Sequence, residues 1–168
     1  MVWSESIVAC LKRHDVRLIA YLPDSIVHRA VSLMEGDSSF ELVPVGREEE
    51  GVGILAGAYL GGKRGALFCQ NSGLGNSVNA LASLAVPWQI PVLLFLGERG
   101  ALGEFNVCQV GMARASRPIF DALGIPHVTL TRPEEVEALT SDGIKLAYDT
   151  RTPVGFILPR QLTGGKNE

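Results

Sequence analysis

Three acids in a row, Glu48-Glu49-Glu50, open a segment with helical patterning, and carboxylates at a helix start can hold or move protons. Alone they read as favourable helix-end charge. The rest of the segment changes that reading: Gly53, Gly57 and Gly61 form one row spaced by four residues. Each interior glycine costs about 1 kcal/mol relative to alanine, so the row predicts a close helix contact, within the chain or between subunits. A carboxylate beside such a contact is desolvated and shifted in pKa. The run Gln70-Asn71-Ser72-Gly73-Leu74-Gly75-Asn76 follows an apolar strand and leads into a helix, as a tight turn or as the floor of a planar ligand's site. Two further loops carry polar groups, Leu22-Pro23-Asp24-Ser25 and Gly97-Glu98-Arg99-Gly100.

Positioning these loops requires strands, and six short β-rich runs are legible: 16–21, 40–45, 66–69, 92–96, 127–130 and 154–158. Between and around them lie helical patterns at 4–14, 25–35, 47–60, 74–85, 112–123 and 134–148. Alternation of this kind predicts an α/β fold, a doubly wound and mainly parallel six-stranded sheet with helices on both faces. Runs three, four and six are nearly all apolar, as strands covered on both faces require. In such sheets ligands bind beyond the carboxyl ends of the strands, where the four polar loops fall.

The 168 residues are expected to form a single domain spanning 1–168, with a loose tail at 163–168. A net charge of −3 without a run of five like charges argues against nucleic acid or an anionic membrane as partner. Three cysteines without Cys-x-x-Cys spacing suggest neither a disulfide framework nor a zinc site, and they fit a cytoplasmic protein. Neither a leader nor a spanning segment is read in the sequence. The match Gly51-x-Gly53-x-x-Ala56 to a dinucleotide fingerprint is rejected, because its glycines lie inside the helix and three carboxylates would repel a pyrophosphate.

Taken together, Arg47-x-Glu49-x-Gly51, Gly57-Ala58-Tyr59, Asn71 through Asn76, and Pro91 through Gly97 ending in Arg99-Gly100 resemble the pyrimidine-binding domain of thiamine diphosphate enzymes. Within that family the Gln70–Asn76 run is most similar to the sulfopyruvate and phosphonopyruvate decarboxylases. The short chain resembles the alpha subunits of split sulfopyruvate enzymes. The resemblance implies a subunit of a thiamine diphosphate-dependent carboxy-lyase acting on a small anionic 2-oxoacid. By motif position Glu49 is the catalytic glutamate, which bonds N1′ of the aminopyrimidine and promotes loss of the thiazolium C2 proton. Asn71, Ser72, Gly73 and Leu74 would line the cofactor with it, and Asp24, Ser25 and Arg99 would face the substrate.

No Gly-Asp-Gly motif followed by its downstream Asn is present. The resemblance therefore implies that Mg2+ and the diphosphate are held by a separate beta subunit, in a hetero-oligomer with self-association. The stretch Ala101 to Gln109 departs from the acidic, proline- and histidine-containing segment of the phosphonopyruvate enzymes, which weighs against that substrate. Alternatives are a phosphonopyruvate decarboxylase subunit, a carboligating synthase subunit, or a non-catalytic partner protein of the same fold.

Overall fold

The computed structural model describes residues 2–165. In chain order its main elements are α1 (Trp3–Arg13), β1 (Val16–Tyr21), α2 (His28–Met34), β2 (Glu41–Pro44), α3 (Glu48–Leu60), β3 (Arg64–Gln70) and α4 (Asn71–Ala80). There follow β4 (Leu93–Gly97), α5 (Val107–Ala122), β5 (His127–Thr129), α6 (Val136–Thr150), β6 (Val154–Leu158) and α7 (Arg160–Thr163). All six strands pair in parallel, in the order β2-β1-β3-β4-β6-β5.

Parallel neighbours need crossover helices, and these fall on both faces. One core packs α1, α2 and α6 on the sheet around Ile7, Leu11, Val31, Phe68, Phe95, Ile144 and Phe156. The other packs α3, α4 and α5 around Val52, Leu55, Leu67, Leu74, Leu94 and Phe120. Across the first face Phe68, Phe95 and Phe156 occupy one register on β3, β4 and β6, with rings stacked at centroid distances of 4.6 and 4.5 Å.

The chain reverses direction across the sheet at β1 and β3, a switch point where two neighbouring loops diverge and leave a crevice. The loops after β1 and β3 carry Asp24-Ser25 and Asn71–Leu74.

Several boundaries differ from the sequence reading. Helix α2 begins at His28 because the Asp24 carboxylate holds residues 25–27 in a turn, its Oδ1 accepting from the Ile26 and Val27 amides at 2.8 and 3.2 Å. Helix α4 begins at Asn71 instead of Leu74, and its continuation over 81–85 is a π-helical turn. Helix α5 begins at Val107, five residues before the expected Met112, because the Asn106 side chain caps it by accepting from the Cys108 amide at 3.0 Å. The expected loose tail is ordered as far as Gly165: Thr163 ends α7 and is buried. Its last residues, 166–168, lie outside the described ones.

Candidate active site

The three adjacent carboxylates meet three different fates because a helix turns 100° per residue. Glu50 folds back over the helix start and accepts from the Gly46 and Arg47 amides at 2.9 and 3.3 Å. Glu49 points away from the core with its side chain 40% exposed; its Oε1 accepts from Arg47 Nε at 2.8 Å. No described group bonds its Oε2. Glu48 turns inward and is only 4% exposed, on the same side as Gly51, Val52, Leu55 and Ala56. Its Oε2 accepts from Asn76 Nδ2 at 2.8 Å, and its stem lies against Gly73, where a Cβ would come within 2.4 Å of Glu48 Cγ.

The glycine row did not find a partner inside the chain. A Cβ on Gly53 or Gly57 would meet no described atom within 4 Å, and one on Gly61 would meet only the backbone of its own helix. Of the two contacts expected for this row, the one within the chain is therefore excluded among the described residues. The close approach within the chain belongs to Gly51, whose Cβ would fall 2.7 Å from Leu67 Cδ1.

At the start of α4 the Asn71 side chain is buried and engaged through both its amide nitrogen and its oxygen. Its Nδ2 donates to the Arg99 carbonyl at 3.0 Å and its Oδ1 accepts from the Arg99 amide at 3.1 Å. This tie joins the loops after β3 and β4. Leu74 lies in the core, and Gly73 is covered by Glu48. Ser72, half-buried, accepts through its Oγ from Gln70 Nε2 at 3.0 Å, and the same amide reaches Gln109 Oε1 at 2.5 Å. Of the side chains of Asn71, Ser72 and Leu74 only Ser72 is thus left partly open, so what Asn71, Gly73 and Leu74 offer a ligand is backbone.

At the end of β4, Gly97 makes room for Asp24: a Cβ there would lie 2.9 Å from Asp24 Oδ1. Ser25 is exposed. Arg99 is clasped by Glu104, with Nε and Nη2 donating to the two carboxylate oxygens at 2.6 Å each. Their side chains are 10% and 6% exposed. Glu104 also accepts from the amides of Gly100, Phe105 and Asn106. The Arg99 guanidinium, with the Asn106 and Gly100 amides, holds the Glu104 carboxyl well below the usual carboxylate range, and Glu104 with Asp24 raises Arg99 in turn. The clasp leaves Arg99 Nη1 without a described partner. At the end of β3 burial pushes the Cys69 thiol far up, and the nearby charges of Glu48 and Asp24 push it further. Among the described residues no three His, Cys, Asp or Glu side chains gather as a cation site.

The structure therefore brings Asp24, Asn71 and Arg99 together at the carboxyl edge of β1, β3 and β4. Glu49 stands on α3, linked to α4 through its buried neighbour. Sequence reading missed Glu104, Gln109, Asn76 and the inward turn of Glu48. Glu104 left a trace, an acid five residues from Arg99 in a loop closed by Gly100 and Gly103.

Residues 1–106 match the family described as thiamine pyrophosphate enzyme, N-terminal TPP binding domain. That span holds every residue nominated above. The chain is 34% identical to the sulfopyruvate decarboxylase subunit alpha of Methanococcus maripaludis, over 92% of this chain and 93% of that one. It is 38% identical to the protein of the same name from Methanocaldococcus jannaschii, over 92% and 91%. The chain belongs to the sulfopyruvate decarboxylase alpha-subunit branch of the thiamine pyrophosphate enzymes. Among solved structures, this alpha-subunit chain resembles a 2-oxoglutarate:ferredoxin oxidoreductase from Magnetococcus marinus, with a TM-score of 0.74 and 15% identity. That likeness covers 97% of this chain and 29% of the other, and it speaks for the α/β fold alone.

Proposed function

We propose that this chain is the pyrimidine-binding subunit of a split thiamine diphosphate-dependent decarboxylase that converts sulfopyruvate to sulfoacetaldehyde and carbon dioxide. The observation that carries the reading is Glu49. It is an outward-facing carboxylate in the first turn of α3, at the family's motif position, with Oε2 left without a described partner. An aminopyrimidine needs one such acceptor or donor at its ring nitrogen N1′, so the group fits this donor set. Bound thiamine diphosphate supplies a thiazolium that accepts the electron pair released as carbon dioxide leaves.

The remaining roles fall to this chain's own atoms. Glu49 holds a proton at N1′ through Oε2, while Arg47 keeps its other oxygen engaged. Arg47 is also the nearest described cation to that carboxylate, so covering the site with a partner would strengthen the pair by excluding water. The backbone of Asn71, Ser72, Gly73 and Leu74 forms the floor beside the ring. Asp24 and Ser25 face the oxoacid; Asp24 keeps Oδ2 free of described partners while Oδ1 caps the turn. Arg99 offers Nη1 to the anionic end of the substrate, its other donors being fixed by Glu104.

A separate beta subunit holds the diphosphate and Mg2+. The uncovered glycine face of α3 supports an assembly between chains, both hetero-oligomeric and through self-association. A cytoplasmic location is supported by three free thiols, Cys10, Cys69 and Cys108; no described helix is long and apolar enough to cross a membrane.

The test is decarboxylation of sulfopyruvate, phosphonopyruvate and pyruvate by the chain co-expressed with a diphosphate-binding subunit, with thiamine diphosphate and Mg2+. We expect sulfopyruvate to be preferred, activity to require both chains, and Glu49→Gln to lower kcat at least about a hundredfold. A stable, cofactor-loaded complex that turns over none of the three oxoacids would overturn the reading.

A further inference from the structure

The proposed chemistry leaves two acids of the triplet unused, and while Glu50 caps its own helix start, Glu48 is buried. Taking a carboxylate out of water is costly unless something compensates. No described cation pairs with it; Arg47, the neighbouring candidate, is engaged by Glu49. What Glu48 has is the favourable end of the α3 dipole and a single hydrogen bond from the Asn76 amide.

Its surroundings are shaped around it. Gly73 has no Cβ where one would come within 2.4 Å of Glu48 Cγ and 2.6 Å of Cδ. Asn76 stands three residues further along the same helix face, so α4 grips the Glu48 side chain at its stem and at its head. Helix α4 is itself anchored, since Asn71 in its first turn bonds both the amide and the carbonyl of Arg99. Arg99 is fixed in turn by the Glu104 clasp. The first turn of α3, the first turns of α4 and the loop after β4 are thereby joined through side chains at the sheet's carboxyl edge.

We propose that Glu48 is a positioning residue for Glu49. By locking the first turn of α3 onto Gly73 and Asn76, it fixes the direction in which the adjacent Glu49 carboxylate leaves the helix. Two consecutive helical residues cannot rotate independently, so a Glu48 side chain held at both ends fixes the Cα–Cβ direction of Glu49. Without the grip, the first turn frays, as helix ends do, and the carboxylate samples many directions. Small misplacements of a reacting group cost large factors in rate. The inference rests on the role proposed for Glu49, and its test separates the two.

Asn76 is exposed, so Asn76→Ala cuts the link without touching the core. Asn76→Ala and Glu48→Ala are each compared with wild type in the two-subunit complex loaded with thiamine diphosphate and Mg2+. We expect kcat on sulfopyruvate to fall at least about tenfold while KM stays within about twofold. Glu48→Gln, which keeps an oxygen to accept from Asn76, recovers most of what Glu48→Ala loses. The second readout needs no turnover: amide hydrogen exchange of this chain. In Asn76→Ala the amides of residues 50–52, the first of the helix to be hydrogen-bonded, should exchange at least about tenfold faster while protection elsewhere is unchanged. Unaltered exchange in the first turn, exchange that rises evenly through the chain, or an unaltered kcat each overturns the proposal. Failure of the wild-type complex to decarboxylate any oxoacid would instead strike the function proposed above, and the exchange data would still judge the grip.

Discussion

Replacing Gly53 and Gly57 by alanine separates what α3 needs as a helix from what it needs as a surface. Both residues lie inside the helix with negative φ, and an alanine Cβ at either would meet no described atom within 4 Å. The isolated chain therefore gains helix propensity and loses nothing in packing, about 1 kcal/mol per site and about 2 kcal/mol for the pair. For a chain of this size each kcal/mol raises the unfolding midpoint by roughly 2–4 °C, so the double variant should melt about 4–8 °C higher by circular dichroism. Gly51→Ala is the internal control. Its Cβ would press on Leu67 Cδ1 at 2.7 Å and Ala20 Cβ at 3.4 Å, and overpacking should cost the chain about 1–3 kcal/mol. If another subunit packs closely on the open face, the two added methyl groups must weaken assembly with the diphosphate-binding chain, measured by sedimentation across a concentration series. A more stable chain that assembles as well as wild type would refute the reading of this face as a close interface. A chain that gains no stability would refute the helix accounting itself.

Two further outcomes follow from other sites. Glu104→Gln removes the charge that holds Arg99 and misaligns one acceptor among five donors, so chemical denaturation should show a loss of about 2–3 kcal/mol. Because the folded carboxyl is held below its unfolded value, the difference between wild type and variant should be full above about pH 4.3 and vanish as pH falls through the lower folded value. Burial pushes the Tyr148 hydroxyl up to about 12, with the Gly65 hydrogen bond and Arg64 opposing. Its folded value lies above the unfolded one, so the stability it contributes is full below about pH 10 and is lost as pH rises toward 12. Spectrophotometric titration of wild type against Tyr148→Phe should find Tyr148 ionising near pH 12; ionisation near pH 10 would contradict the buried setting.

The six strands were legible because the chain punctuates them with glycine and proline and because the buried ones are nearly all apolar. Their lateral order was not, since β6 inserts beside β4 through contacts separated by some sixty residues, and local periodicity carries no such information. The start of α5 was hidden for a different reason. Val107 is exposed, and Gly111 interrupts the apolar pattern, so only the Asn106 cap marked the true beginning. At the site, the polar loops were found by their position after strands, and the structure gathers three of them at one edge. What each side chain does there depended on rotation and burial. Glu48, Glu49 and Glu50 look equivalent in one dimension, yet one is enclosed, one faces outward and one caps its own helix. Likewise the sequence offered Arg99 as a residue facing the substrate but not its clasp by Glu104, which is a property of the folded loop.

The strand order also sets a constraint on how the protein is made. Edge strand β5 has a single pairing partner, β6, and β6 lies between it and β4. On the ribosome β5 is translated first and has nowhere to go, while the apolar edge of β4 stays open until residues 154–158 have cleared the exit tunnel. The nascent chain must therefore carry an unfinished four-stranded sheet while the segment between β4 and β6 is made, and a ribosome pausing between β5 and β6 would present that edge to every neighbouring chain in a polysome.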